Sequence, residues 1–159
     1  MNRRSILQGL LALPVLVGLI LVGERSGAAV GGEQRPERQH QLAVLIAASP
    51  VGEPAMANDQ AAIEKALLQR GVQSEEILKL GGALNRTQLL TFLREVAQRA
   101  AQWQDGSVFL AYSGHGDIQG TTVKKPGVKL PSGETVLWEE IFEALRLPQD
   151  VHLILLPDC

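Results

Sequence analysis

At 159 residues the chain suits one domain, long enough to bury most of the surface that its unfolded form exposes. A formal net charge of −2 supplies no basic field for nucleic acid and no acidic tail. The single cysteine excludes an intramolecular disulfide and a multi-cysteine zinc site, and His40, His115 and His152 lack the short spacings that place two ligands on one metal.

The N-terminal segment differs in kind from the rest. Arg3 and Arg4 precede an uncharged apolar run from Ile6 to Val22, and small residues follow at Ser26 to Gly32. That order predicts an export signal or an N-terminal anchor over residues 1–29, with cleavage after Ala28 or Ala29 in the first case. The arginine pair before Ser5, Ile6 and Leu7 resembles a twin-arginine export motif, although Gln8 stands where that motif often has lysine. The run is marginal for crossing a bilayer core of about 30 Å, and Pro14 interrupts it, which favours export. Either outcome places the main domain outside the cytoplasm, periplasmic or extracellular, with membrane contact only through residues 1–29. Residues 30–41 read as a polar, proline-bearing linker, and 42–159 as the domain.

From Leu42 onward two kinds of segment alternate. Leu42 to Ala48 is a continuous apolar run, as in a strand buried on both faces. A helix is expected from Asn58 to Gly71, capped by Asn58 or Asp59, with Ala62, Ile63, Ala66 and Leu67 inward and Gly71 at C′. Glu76 to Leu80 predicts a second strand. Leu89, Leu90, Leu93, Val96, Ala97 and Ala100 then recur at helical spacing, after an Asn85/Gln88 capping box. Ser107 to Tyr112 is the third strand and the most hydrophobic. Residues 117–136 are rich in Gly, Pro and Lys and read as a surface loop or hairpin. A third helix is expected within 136–147, with Leu137, Ile141, Phe142 and Leu145 on one face, and Val151 to Leu156 is the fourth buried strand. The order β-α-β-α-β-α-β implies an α/β fold with a parallel sheet covered by helices on both faces. Its strands point one way, so whatever follows each of them gathers on one rim, where ligands of such sheets sit.

Two chemically capable residues fall on that rim. His115 stands three residues past the third strand and Cys159 three residues past the fourth. An imidazole can take the thiol proton and later protonate a leaving amine while the thiolate attacks a carbonyl carbon. Gly114 and Gly116 leave room for substrate backbone, and the Gly116 N–H is a candidate oxyanion donor. Taken singly, the cysteine has a packing role as its alternative and the histidine a turn role. Other catalytic signatures are missing: no Gly-x-Ser-x-Gly elbow, phosphate loop, Gly-x-Gly-x-x-Gly or His-Glu-x-x-His.

"FLAYSGHG", residues 109–116, resembles the histidine motif of the caspase and metacaspase-like cysteine peptidases, and Ala57-Asn58-Asp59 is similar to a sequence that often opens their first helix. The resemblance covers 42–159 and implies a caspase-like sandwich and a cysteine endopeptidase acting on peptide or protein substrates. It casts His115 as general acid/base, and the N–H groups of Gly116 and the cysteine as the oxyanion hole. It implies no cofactor and no metal in the chemistry; some metacaspases need calcium for activation, but no calcium-type cluster stands in this sequence. The family usually reads Asp-x-Cys-x-Ser-Gly after the fourth strand, whereas here Asp158 directly precedes Cys159. Two alignments follow: Cys159 is the nucleophile, or it is the middle residue of the motif and the nucleophile belongs at the next position. The family also continues with further strands and helices, so the 159 residues are expected to be a fragment or a truncated product, inactive or barely active alone. The rival readings are a non-catalytic caspase-like binding domain and an unrelated α/β protein using a lone thiol. Redox use is disfavoured by the lack of a Cys-x-x-Cys pair.

Overall fold

A computed structural model of the protein describes residues 40–159. The expected signal or anchor at 1–29 and nearly all of the expected linker lie outside the described residues. The elements in chain order are β1 (Gln41–Ala48), α1 (Ala55–Gln69), a 3₁₀ turn (Ser74–Glu76), β2 (Ile77–Gly82), α2 (Arg86–Ala100) and β3 (Gly106–Ser113). There follow β4 (His115–Gln119), β5 (Lys125–Lys129), β6 (Thr135–Leu137), α3 (Trp138–Ala144) and β7 (Val151–Asp158). The chain is therefore α/β, with a four-stranded parallel sheet in the order β2-β1-β3-β7 and a three-stranded antiparallel sheet β4-β5-β6.

The continuous apolar run makes β1 a central strand, because both of its faces are covered. Leu42, Val44, Ile46 and Ala48 join Leu89, Leu93 and Val96 of α2 and Ile141 of α3 in the larger core cluster. Ala43 and Leu45, pointing the other way, pack with Ile77 and Ala111 against Ile63 and Leu67 of α1. Helices thus lie on both faces. The Asn85/Gln88 box forms as read from the sequence, each side chain bonding the other residue's N–H at 2.9 Å.

Helix α1 begins earlier than expected. Pro54 occupies its N-cap, so neither Asn58 nor Asp59 is a cap. Proline fits a helix start, since its missing N–H would find no intrahelical partner there. Gln60, one turn in, donates to the carbonyls of Leu45 at 2.8 Å and Leu80 at 3.0 Å and so fastens α1 across β1 and β2.

The stretch 117–136, expected as loop or hairpin, holds the β4–β5 hairpin and, with β6, is most of a second sheet that begins at His115. Its turn residues mask three short strands whose Val128 and Val136 are fully buried in the main core. A charged network clamps this sheet to the helices. The Arg86 guanidinium at the start of α2 pairs with Glu140 of α3 and reaches the Thr135 carbonyl, while its N–H donates to Glu134. Hydrogen bonding to Arg86 holds the Glu140 and Glu134 carboxyls below the usual glutamate range.

Helix α3 is shorter than the expected segment because Val136 and Leu137 are used in β6. Phe142, expected inward, is 44% exposed and stacks on Trp138 at 5.9 Å. Strand β7 runs past Leu156 to Asp158, tolerating Pro157 because an edge strand needs only one ladder. Its Ile154 and Leu156 stand 52% and 46% exposed.

Leu93 is fully buried and Leu156 half-exposed, so the same truncation separates them: Leu93→Ala is expected to cost about 2–5 kcal/mol in urea denaturation and Leu156→Ala under about 1 kcal/mol. The lowered carboxyls give a second expectation. A depressed folded pKa stabilises above the ordinary carboxylate range and loses that stabilisation as pH falls through the folded value. Urea midpoints should therefore drop as pH falls below about 4.5, and Glu140→Gln should make the drop shallower.

Candidate functional site on the sheet rim

The C-terminal ends of β1, β3 and β7 lie level, since Ala47 pairs with Ser113 and Ser113 with Asp158. Everything chemically capable follows those ends. A single residue, Gly114, separates β3 from β4, and its N–H donates to the Asp158 carbonyl at 3.1 Å. That bond ties the Ser-Gly-His-Gly stretch to the last residue of β7. Gly114 is sterically required: a methyl group there would lie 2.6 Å from the Tyr112 hydroxyl oxygen, and Tyr112 is 2% exposed.

His115 is the first residue of β4 and not a turn residue, paired with Lys129 of β5. Its imidazole is 62% exposed and faces Glu53 of the β1–α1 loop, Nε2 to Oε2 3.9 Å. Gly116 stands against Cys159, for a methyl on Gly116 would lie 3.5 Å from Sγ. Cys159 is exposed, with Gly116, Asp117, Ile118, Pro126, Gly127 and Trp138, around an open hollow of about 580 Å³. His115 and Cys159 thus share the rim through Gly116, yet no hydrogen bond joins the imidazole to the thiol. His152 lies near the start of β7, away from this end, and is exposed.

The carboxylates around the rim are already engaged. Asp59 accepts from the buried Ser113 hydroxyl at 2.8 Å, which locks the first turns of α1 to the end of β3. Asp117 accepts from the Thr135 hydroxyl and from the Ile118 N–H, with Lys129 4.0 Å away. The Thr135 bond, first among these, holds the Asp117 carboxyl below the usual aspartate range. Among the described residues no three His, Cys, Asp or Glu side chains converge into a metal-ligating cluster. A second hollow of about 510 Å³ between α2 and α3 is lined by Arg86, Leu90, Arg94, Glu140, Glu143, Ala144 and Arg146 and holds no nucleophile.

Sequence reasoning named the histidine, the cysteine and the flanking glycines but missed the neighbours that hold them. Asp59 was read as a cap and serves as the acceptor for Ser113. Glu53, Trp138 and the Asp117–Thr135 pair join the rim only once the loops fold, and nothing in their spacing signals it. Tyr112 carried a weak signal, as a polar tip within the apolar run of the most hydrophobic strand. No protein-family model matches the chain, and a search of the curated proteins returns no match.

Gly114→Ala is expected to force the Tyr112 ring out of its buried position, lowering stability in urea by about 1–3 kcal/mol; Gly116→Ala, whose methyl meets only ordinary contacts, should cost well under that.

Proposed function

We propose that the chain carries the Cys/His dyad of a caspase/metacaspase-like cysteine endopeptidase acting on peptide or protein substrates. The observation that carries it is the convergence of Ser-Gly-His-Gly and Cys159 at one rim, with Gly116 directly against Sγ. His115 removes the thiol proton, and the thiolate attacks the peptide carbonyl carbon. The N–H groups of Gly116 and Cys159 take the oxyanion of the tetrahedral intermediate. Its collapse breaks the C–N bond, the imidazolium protonates the departing amine, and a water deprotonated by the same imidazole hydrolyses the thioester. The dyad requires the exposed imidazole to turn away from Glu53 toward Sγ; catalytic hydrogen bonds commonly tighten only in the substrate complex. The caspase-like assignment of the parallel sheet rests on the same motif together with the β2-β1-β3-β7 order.

The observation favouring a non-catalytic binding domain is the imidazole itself, exposed and paired with Glu53. Hydrolysis of Arg-, Lys- and Asp-terminated peptides by the protein separates the two. His115→Ala and Cys159→Ala should each lower turnover by at least about 100-fold with the fold retained in circular dichroism. Equal turnover in wild type and His115→Ala overturns the peptidase assignment, and absence of turnover in wild type supports the binding domain.

The export assignment rests on residues 1–29 alone. Replacing Arg3 and Arg4 with lysine should retain the protein in the cytoplasm on cell fractionation, while the parent is recovered outside it.

A further inference from the structure

The face that the small sheet turns to the core is longer than the core beneath it. Residues opposite one another in a ladder share a face, so Gly116, Ile118, Pro126, Val128 and Val136 stand on the same side. Val128 and Val136 are fully buried there, whereas Pro126 is exposed and Ile118 is 64% exposed at the other end. Trp138, the residue after β6, is half-buried, and with Ile118 and Pro126 it walls the hollow of about 580 Å³ that holds Cys159. Large apolar side chains left open to water around a concave site mark a ligand site, since pockets of this size are lined mainly by such groups. Asp117 is the one charged side chain lining the hollow, and both of its oxygens are engaged. Oδ1 accepts from the Ile118 N–H at 2.8 Å and Oδ2 from the Thr135 hydroxyl, with Lys129 4.0 Å from Oδ2. A charged ligand group entering here loses its water and meets no uncommitted counter-charge. An apolar one covers Ile118 and Trp138.

The main chain beside the hollow is arranged to hold an extended peptide. Among the described residues β4 is the outer strand of its sheet. Ile118 stands opposite Pro126, which has no N–H to give, and its own N–H goes to Asp117. Main-chain groups alternate between the two sides of an antiparallel strand, so Gly116, two residues earlier, also turns its N–H and C=O to the outer edge. A peptide adds to such an edge as one more strand. Gly116 is the residue against Sγ, and Ile118 is a two-residue step of about 7 Å farther along β4. We infer that the hollow takes a large apolar side chain, aromatic or branched, of a peptide lying along β4, within about two residues of the bond presented to Cys159, and that Ile118 and Trp138 select it. The inference rests on the reading of this rim as a peptide site and names the peptide class it takes; its test needs no hydrolysis.

Binding is measured by fluorescence anisotropy to the Cys159→Ala chain, which turns nothing over. The probes are blocked, dye-labelled alanine–serine peptides carrying a single Phe, Leu, Arg or Asp at each position in turn. At the position that reaches the hollow, Phe or Leu should bind at least about tenfold tighter than Arg or Asp. Adding Ile118→Ser should reduce that preference to within about threefold and leave the unsubstituted alanine–serine peptide unaffected. Equal binding of all four, tighter binding of Arg or Asp, no binding at all, or a preference indifferent to Ile118→Ser overturns the inference. Should Ile118→Ser fail to fold, the Ile118 methyl resonance of the Cys159→Ala chain is followed instead. It should shift on addition of the Phe peptide and not of the alanine–serine peptide, and a resonance that stays in place overturns the inference. A protein that shows the preference and hydrolyses no peptide retains this inference and loses the peptidase reading. One that hydrolyses peptides through His115 with no preference for apolar residues does the opposite.

Discussion

Parallel pairing on both sides of β3 is the constraint on which the rim depends. Because β1 and β7 run with β3 and in level register, three chain exits fall together: the loop that carries Glu53, the Gly114 link into β4, and Cys159. Parallel strands need crossover helices, and those helices cover the two faces, so the same topology that aligns the exits also buries β1 completely. An antiparallel β7 would send its last residue to the opposite edge of the sheet. The meeting of a histidine and a cysteine distant in sequence is therefore a consequence of strand direction before it is a consequence of any side-chain contact.

The parts of this architecture legible in the sequence are those with a strong hydrophobic period. Leu42 to Ala48, Ser107 to Tyr112 and the α2 stripe announce themselves because burial on both faces, or on one helical face, admits few other residue patterns. Of the small sheet only a hairpin was legible, and not its third strand or its buried face. Val128, Leu130 and Val136 are buried, but Pro126, Gly127 and the Ser132-Gly133 turn break any alternation long enough to read. The start of α1 was misplaced for a related reason. Asn58 and Asp59 have cap chemistry, but Pro54 had already begun the helix, leaving Asp59 free to accept from Ser113 on a different element. Phe142 has helical spacing with Ile141 and Leu145 yet stays half-exposed, because stacking on Trp138 satisfies it at the surface.

At the site, sequence placed His115 and Cys159 on one rim because counting residues past each strand suffices for that. It could not supply the direction of the imidazole, which faces Glu53 of a loop with no period at all. Nor could it show that β4 begins at His115. That start shortens the turn to Gly114 alone, and the backbone bond from Gly114 to Asp158 then holds the two segments in register.

The carboxylates around the thiol are engaged by partners of the fold. A thiolate is destabilised by nearby carboxylates, and Asp59 and Asp117 both flank this rim. Each is bound to hydroxyl or amide donors, Asp59 by Ser113 and Asp117 by Thr135 and Ile118, with Lys129 adding a positive charge behind the second. Among the described residues two buried hydroxyls near this rim lack a partner, Ser49 just past β1 and Tyr112 under Gly114. The Tyr112 hydroxyl packs so closely under Gly114 that any larger residue there would collide with it, so the glycine and the buried tyrosine are required together.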